Sequence, residues 1–191
     1  QNNVLNYSGI KIKDTNKKGL EDMLEGKNYE LTKLRPNLFF LHLQDYKVKG
    51  NLDEKFKKQI NNLKKEFDHI IIDGSPVMNL DNVFVDVAEH IIVPTFLDSV
   101  TTNSILNLLK KTDISKIRAV IPNRVGRTAI EKNFYTFLKD KLTRSGVFLS
   151  IPINQSAIIL KLIENGTLLW ERRSQKLDEI KNVFVKVWRE I

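Results

Sequence analysis

The chain has 191 residues, of which 41% are apolar and 28% charged, a composition typical of a globular protein with one sizeable core. It has no cysteine, which excludes disulfides, thiolate nucleophiles and cysteine-bound metals. Its three histidines are scattered along the sequence and do not suggest a histidine metal centre. The net charge of +8 favours an acidic partner, either nucleic acid or an anionic membrane surface, or reflects only the base composition of a Lys/Asn/Ile-rich gene.

The sequence contains no apolar run long enough to span a bilayer and no secretory leader pattern. We therefore expect a cytoplasmic protein.

Short apolar runs alternate with helical patterns along the chain, which predicts an α/β fold. After a short helix at 19–24, the apolar runs are 38–43, 69–73, 90–94, 117–121 and 147–151. Apolar residues at helical spacing predict helices within 52–67, after Asp98 or Ser99, over 130–142 and from Ser174 onward. We expect one domain, 1–191, with a mostly parallel twisted sheet and helices on both faces.

The stretch 67–76, FDHIIIDGSP, carries the most specific pattern. Its continuous apolar run, 70–72, predicts a central strand buried on both faces. Asp73 would then stand at the carboxyl edge of the sheet, where α/β folds bind ligands. There the carboxylate either holds Mg²⁺ beside phosphates, with Gly74 and Ser75 permitting a sharp turn, or caps the next helix.

The last helix carries an apolar stripe that favours packing on the sheet. A membrane surface is the alternative, but acidic residues interrupt the cationic face that such an anchor prefers. The stripe consists of Leu177, Ile180, Phe184, Val187 and Ile191, and the acidic residues are Asp178, Glu179 and Glu190. Just before this helix, Gly166 is expected to end a helix as a left-handed cap.

Four segments in this order resemble the ParA/MinD group of P-loop ATPases, and in particular the small plasmid-partition ParA proteins. They are FDHIIIDGSP, HIIVPTFLDSVTTNSILNLL, IRAVIPNRVGRTAIEKNF and SIPINQSAIILKLIENGTLLWE. The resemblance extends from about residue 38 to the end of the chain. It implies a P-loop NTPase-like fold with three α/β/α layers.

The resemblance also implies ligands and the residues that bind them. ATP and Mg²⁺ are the expected cofactors, with Asp73 near the metal through a water molecule. The residues expected to contact the nucleotide base are Asn123, Arg124, Pro152, Ile153 and Asn154. From the residues alone, Asn123 could equally serve an awkward turn after Pro122, and Arg124 could be a solvated surface charge.

The function that the resemblance implies is a partition ATPase that forms a homodimer with ATP and binds DNA without sequence preference. A ParB-like centromere-binding protein would stimulate its hydrolysis. The expected DNA contacts are Arg144, Lys161, Arg172 and Arg173, each of which could instead be a solvated charge. After Pro152 the chain departs from chromosomal ParA proteins, which carry arginines there, and this favours a plasmid-type member.

Two alternatives remain open at this stage. One is a MinD-like membrane-surface ATPase anchored by residues 181–191. The other is a non-catalytic, degenerate P-loop-type scaffold, because nothing in the sequence matches GxxxxGK[ST] or its ParA variant. Residues 1–9 resemble the segment after the second strand of the family, so we expect a chain that lacks the N-terminal P-loop strand. Without the P-loop lysines and the switch aspartate it contains no catalytic residue and should not hydrolyse ATP.

Overall fold

The structure is a computed structural model that describes residues 4, 7–10, 18–43, 50–74 and 81–191. The chain divides into two compact units. The first unit comprises residues Gln1–Val87 with Ile163–Thr167, and the second comprises Ala88–Leu162 with Leu168–Ile191.

Within its described residues, the first unit contains helices and one antiparallel hairpin. These elements are α1 (Leu20–Leu24), β1 (Thr32–Arg35), β2 (Leu38–Phe40), α2 (Leu52–Leu63) and α3 (Asp81–Val87). Pro36 and Asn37 form the turn between β1 and β2, and Asn37 has a φ of 59°. Asparagine tolerates this left-handed conformation better than most residues, which is why a tight turn fits here. The apolar run 38–43 is therefore half of a hairpin and not a strand of the parallel sheet.

Helix α2 confirms the amphipathic pattern, although it ends at Leu63, earlier than the pattern that runs to residue 67. Asn51 caps its start by accepting a hydrogen bond from the Glu54 N–H at 3.4 Å. Phe56, Ile60 and Leu63 are buried in the core of the first unit, together with Met23, Leu24 and Val83.

The predicted central strand at 69–73 is wrong in the part of the chain that the structure describes. Residues 69–74 have no strand assignment, and Ile71 is 82% exposed. Ile70 and Ile72 still pack against the core of the first unit, so the segment alternates instead of burying both faces. A run of isoleucines becomes a strand only when another strand satisfies its backbone groups, and none of the described strands pairs with residues 70–73. Ser75 and Pro76 of the motif lie outside the described residues.

The second unit contains a parallel sheet in the order β3-β4-β5. Its strands are β3 (Ile91–Thr95), β4 (Ile117–Pro122) and β5 (Phe148–Leu149), which confirms three predicted strands. Helix α4 (Ser99–Lys111) follows β3, and helix α5 (Ala129–Leu142) follows β4. Helices α6 (Ala157–Glu164) and α7 (Gln175–Trp188) follow β5.

Helices cover both faces of this sheet, as the sequence predicts. On one face, Ile117 and Val120 of β4 pack with Ile105 of α4 and Leu138 of α5. On the other face, Ala119 and Ile121 pack with residues of α6 and α7, namely Leu162, Leu177, Ile180, Val183 and Val187. The pairing of β3 with β4 shifts register between Ile91 and Ile92, which pair with Ile117 and Ala119. Because of this irregularity, Ile117 and Ala119 lie on opposite faces of the sheet. The second unit thus has three layers.

Most of the apolar stripe predicted for the C-terminal helix is confirmed. Leu177, Ile180 and Val187 are buried, but Val183 takes the place expected for Phe184, and Phe184 and Ile191 are partly exposed. Helical spacing permits either residue 183 or 184 on one face, and only packing decides between them. No helix within the described residues is long and apolar enough to cross a membrane.

Candidate nucleotide site

The carboxyl ends of β3, β4 and β5 lie at one edge of the sheet because the three strands are parallel. In open α/β sheets this edge is where ligands bind. The segments that leave it are 96–98 after β3, 123–128 after β4 and 150–156 after β5. The structure brings all five predicted base-binding residues to this edge.

Asn123 is fixed at the end of β4 by hydrogen bonds at both its backbone and its side chain. Its N–H donates to the Thr95 carbonyl at 2.7 Å, which joins it to the end of β3. Its Oδ1 accepts from the Arg124 N–H at 2.9 Å. No described residue accepts a hydrogen bond from the Asn123 Nδ2 group, so both of its hydrogens can donate to a ligand.

Arg124 is exposed and has a φ of 53°. A left-handed conformation at a residue other than glycine costs about 1–3 kcal/mol and is concentrated at functional sites. The awkward turn expected after Pro122 is therefore at Arg124, and Asn123 supports it through its side chain. The planar guanidinium of Arg124 can stack on a base.

A parallel bridge between Val125 and Asn154 brings the two predicted base-binding segments together. The Val125 N–H donates to the Ile153 carbonyl at 3.0 Å, and the Gln155 N–H donates to the Val125 carbonyl at 3.1 Å. The Ile153 N–H donates to the Pro122 carbonyl at 2.8 Å, and its side chain is buried. Ile153 therefore holds the segment in place.

The groups of the second segment that remain for a ligand belong to its other two residues. The Pro152 carbonyl and the Asn154 N–H make no hydrogen bond to any described residue. One acceptor and one donor of the backbone, two residues apart, match the paired donor and acceptor at the edge of an adenine ring.

Two of the helices that begin at this edge, α4 and α5, have a carboxylate hydrogen-bonded at their first turn. Asp98 accepts from the Thr101 N–H and hydroxyl, both at 2.8 Å, and these two bonds hold the pKa of Asp98 below its usual value. Glu131 accepts from the Thr128 hydroxyl and from the Gly126 and Thr128 N–H groups, and its pKa is lowered in the same way.

Asp73, the predicted metal ligand, is an exposed carboxylate of the first unit. The next described helix begins at Asp81, so the alternative that Asp73 caps that helix has no support in the described residues. A carboxylate oxygen suits Mg²⁺, which usually takes one or two carboxylates, water and substrate phosphates. The described residues hold no cluster of three or more acidic, histidine or cysteine side chains that could bind a metal by themselves.

The four predicted DNA contacts are all exposed but lie on different elements. Arg144 follows α5 at the edge where β5 begins, opposite the candidate nucleotide site. Lys161 is on α6, whereas Arg172 and Arg173 lie side by side before α7. Only the last two are adjacent in the chain.

Sequence reasoning missed two residues of this edge, Thr95 and Glu131. A signal for Glu131 exists, because Thr128 and Glu131 match the capping-box pattern of a hydroxyl residue followed three positions later by glutamate. Nothing local marks Thr95, whose role depends on β3 and β4 being neighbours.

The parallel sheet and its helical layers define a three-layer α/β fold with a ligand-binding type of carboxyl edge. Among solved structures, the chain is similar to the MinD cell division protein of Aquifex aeolicus, with a TM-score of 0.69, 15% identity, and coverage of 100% of this chain and 80% of that one. It is also similar to a chain of the Aquifex aeolicus MinC:MinD cell division protein complex, with a TM-score of 0.67, 15% identity, and coverage of 96% and 78%.

Identity this low shows the fold alone, and the fold is that of MinD. Comparisons with protein-family models and with curated proteins gave no match.

Proposed function

We propose that this protein is an ATPase of the ParA/MinD type that binds the adenine base of ATP at the carboxyl edge of the β3-β4-β5 sheet. The observation that carries the proposal is the bridge between Val125 and Asn154, which brings Asn123 and Arg124 beside Pro152 and Asn154. Donor, acceptor and stacking groups for a base are thereby gathered in one place.

The recognition of adenine follows from the groups left unpaired. The Pro152 carbonyl accepts from the exocyclic amine, and the Asn154 N–H donates to the neighbouring ring nitrogen. The Asn123 Nδ2 donates to a second ring nitrogen, and Arg124 stacks on the ring. Guanine presents a carbonyl and a protonated ring nitrogen at that edge, so it would meet the Pro152 carbonyl and the Asn154 N–H with the wrong groups.

Magnesium is the expected companion of the phosphates, with Asp73 as the carboxylate of this chain that contributes to its binding. The bound ion would neutralise charge on the phosphates and orient the terminal one. The exposed carboxylate of Asp73 would accept hydrogen bonds from water molecules bound to the ion.

Calorimetric titration of ATP–Mg²⁺ and GTP–Mg²⁺ into the protein expressed from its complete coding sequence tests the base site. We expect a preference for ATP, and Asn123→Ala should weaken ATP binding about tenfold, the factor for one well-made hydrogen bond. Asn133→Ala, on the exposed face of α5, is the matched control and should leave binding unchanged. Equal affinity for ATP and GTP in the parent protein contradicts the proposal.

The metal role is tested separately by turnover. Asp73→Ala should abolish Mg²⁺-dependent hydrolysis with little change in thermal stability. Asp68→Ala removes another carboxylate from the same segment and should retain activity. Unchanged hydrolysis in Asp73→Ala removes Asp73 from the site.

As the more specific function we propose DNA partition, with an ATP-bound homodimer that binds DNA and a ParB-like protein that stimulates hydrolysis. The adjacent, exposed Arg172 and Arg173 support a phosphate contact, and the net charge of +8 supports an acidic partner. Replacing both arginines with alanine should weaken DNA binding and reduce the slope of log K against log salt by about two for each protomer that contacts the DNA. Lys110→Ala with Lys111→Ala removes the same charge from α4 and serves as the control.

A membrane-surface ATPase is the second candidate because α7 exposes aromatic and apolar side chains near its end. Trp188 is 53% exposed, and Phe184 and Val185 are partly exposed, with Lys186 and Arg189 beside them. Trp170, 59% exposed, lies 6.1 Å from Phe184 between ring centroids. Flotation with anionic liposomes that Trp188→Ser abolishes would favour this candidate, and DNA binding lost in the Arg172/Arg173 variant would favour partition.

A further inference from the structure

The β4–α5 loop, residues 123–128, is held by the carboxylate of Glu131. The Gly126 N–H donates to Oε1 at 2.7 Å. The Thr128 N–H and hydroxyl donate to Oε2 at 3.1 and 2.7 Å. One side chain thus receives three hydrogen bonds from a loop that begins with Asn123 and Arg124.

The contact is reciprocal. The Glu131 N–H donates to the Thr128 hydroxyl oxygen at 3.2 Å, so Thr128 and Glu131 form a capping box at the start of α5. The bond to Gly126 is an addition to that motif, because it reaches two residues further back into the loop. The lowered pKa of Glu131 agrees with a carboxylate that is hydrogen-bonded in its charged form.

Gly126 leaves the space that this contact needs. A Cβ atom built at Gly126 would lie 2.8 Å from Oε2 and 3.2 Å from Oε1 of Glu131. Any other residue would therefore push the carboxylate away from the loop. The loop and the glutamate fit each other only with glycine at this position.

The opposite side of the loop is fixed by the backbone. Val125 pairs with Ile153 and Gln155, and Asn123 is bonded to Thr95. Arg124 lies between these two anchors in its left-handed conformation. Glu131 supplies the third anchor on the α5 side, which prevents residues 126–128 from releasing the conformation at Arg124.

We propose that Glu131 is a positioning residue for base recognition, which holds the β4–α5 loop so that Asn123 and Arg124 face the base. This inference rests on the proposed adenine site and adds to it a residue that does not touch the ligand. It assigns to Glu131 an effect on base selectivity, which a residue that only starts a helix would not have.

The test compares Glu131→Ala and Glu131→Gln with Asp113→Ala in the complete protein. Asp113 accepts from the Ser115 N–H at 3.0 Å before β4, so it makes a similar bond at the opposite edge of the same unit. The probes are ATP–Mg²⁺ and GTP–Mg²⁺, titrated calorimetrically. Amide hydrogen exchange of Gly126 and Thr128 without ligand reports on the loop itself.

We expect Glu131→Ala to weaken ATP binding about tenfold and to reduce the preference for ATP over GTP. Glu131→Gln keeps an oxygen that can accept from Gly126, so its affinity should be intermediate. The amides of Gly126 and Thr128 should exchange faster in Glu131→Ala, while Asp113→Ala should retain both affinity and selectivity.

A parent protein that prefers ATP, with a Glu131→Ala variant that keeps this preference, would overturn the inference and leave the proposed site intact. Equal loss in Asp113→Ala would also overturn it, because general destabilisation would then explain the result. A parent protein with no preference for ATP would overturn the proposed function instead. If Glu131→Ala does not fold, Glu131→Gln and Gly126→Ala decide by the same comparison.

Discussion

Residues 69–73 and 90–94 have closely similar sequences, HIIID and HIIVP, and different structures. The second segment lies largely within β3, which pairs with β4 over Ile91 to Thr95. The first has no strand assignment, and its central Ile71 is far more exposed than Ile92, at 82% against 38%.

The side chains of the two segments nevertheless behave alike. Ile70 and Ile72 pack on the core of the first unit, just as Ile91 and Val93 pack on a core of the second. Alternate residues face a core in both, so the apolar pattern acts in the same way. The difference is that β4 pairs with one segment, whereas no described strand pairs with residues 70–73 of the other.

Amide hydrogen exchange gives the largest expected contrast. Amides of β4 should exchange at least about a thousandfold more slowly than those of residues 70–73, because they are buried in a ladder with strands on both sides. Similar protection of the two segments in the complete protein would show that residues 70–73 have a strand partner there.

Two isoleucine-to-alanine substitutions, one in each segment's unit, give the next largest effect. Ile117→Ala removes a side chain that is almost fully buried between β4 and the helices of one face, and should lower the free energy of unfolding by about 2–5 kcal/mol. Ile71→Ala should change it by less than about 0.5 kcal/mol because most of its side chain is already in water. Urea denaturation measures both. An equal loss in the two variants would contradict the exposed position of Ile71.

Two glycines of the first unit, both with a positive φ, allow a comparison within that unit. Gly166, after α6, has a φ of 59° and its N–H donates to the Ile163 carbonyl, which confirms the predicted left-handed cap. Its added Cβ would collide with the backbone of Gly9, and its carbonyl accepts from Arg35 at 3.0 Å.

Gly166→Ala should therefore cost more stability than Gly26→Ala. Gly26 has a φ of 72° and open space around it, so alanine there adds only backbone strain of about 1–3 kcal/mol. Thermal unfolding of both variants measures the difference. Equal losses of stability in the two variants would mean that the clash of the added Cβ with Gly9 costs no stability.

The smallest expected effect concerns pH. Helix α4 is capped by Asp98, whose pKa is lowered by bonds from Thr101, whereas α2 is capped by the neutral Asn51. A lowered pKa in the folded state means that the stabilisation is full above the ordinary carboxyl pKa of about 4 and is lost as the pH falls through the folded value. Asp98→Asn should flatten the decline of the melting temperature below about pH 4.

The control for this effect is Asn51→Ala. It removes a cap without removing a titrating group, so the melting temperature should fall by the same amount at every pH. If the melting temperature of Asp98→Asn falls with acid as steeply as that of the parent protein, other carboxylates cause the acid sensitivity.

Much of the second unit could be predicted from the sequence. Its three strands, the helix cap at Asp98, the long helix over 130–142 and the start of α7 after Ser174 all agree with local patterns. So does the placement of Asn123 and Pro152 at strand ends. These features depend on neighbours a few residues apart, whose spacing is visible in a single sequence.

The candidate site needed the tertiary structure. Asn123 meets Thr95, and Val125 meets Ile153, through hydrogen bonds between segments that are distant in the chain. The contacts of Glu131 with Thr128 are local, and the capping-box pattern marks them in the sequence. The roles of Asn123 and Val125 depend on strand order, which no local pattern contains.

The sequence by itself determined where apolar runs, turns and helix caps occur, because these follow from side-chain chemistry and short-range spacing. Only the tertiary structure decided which apolar run became a strand. A strand needs backbone partners from a distant part of the chain: Ile117 to Pro122 supply them to Ile91–Thr95, and no described strand supplies them to residues 70–73.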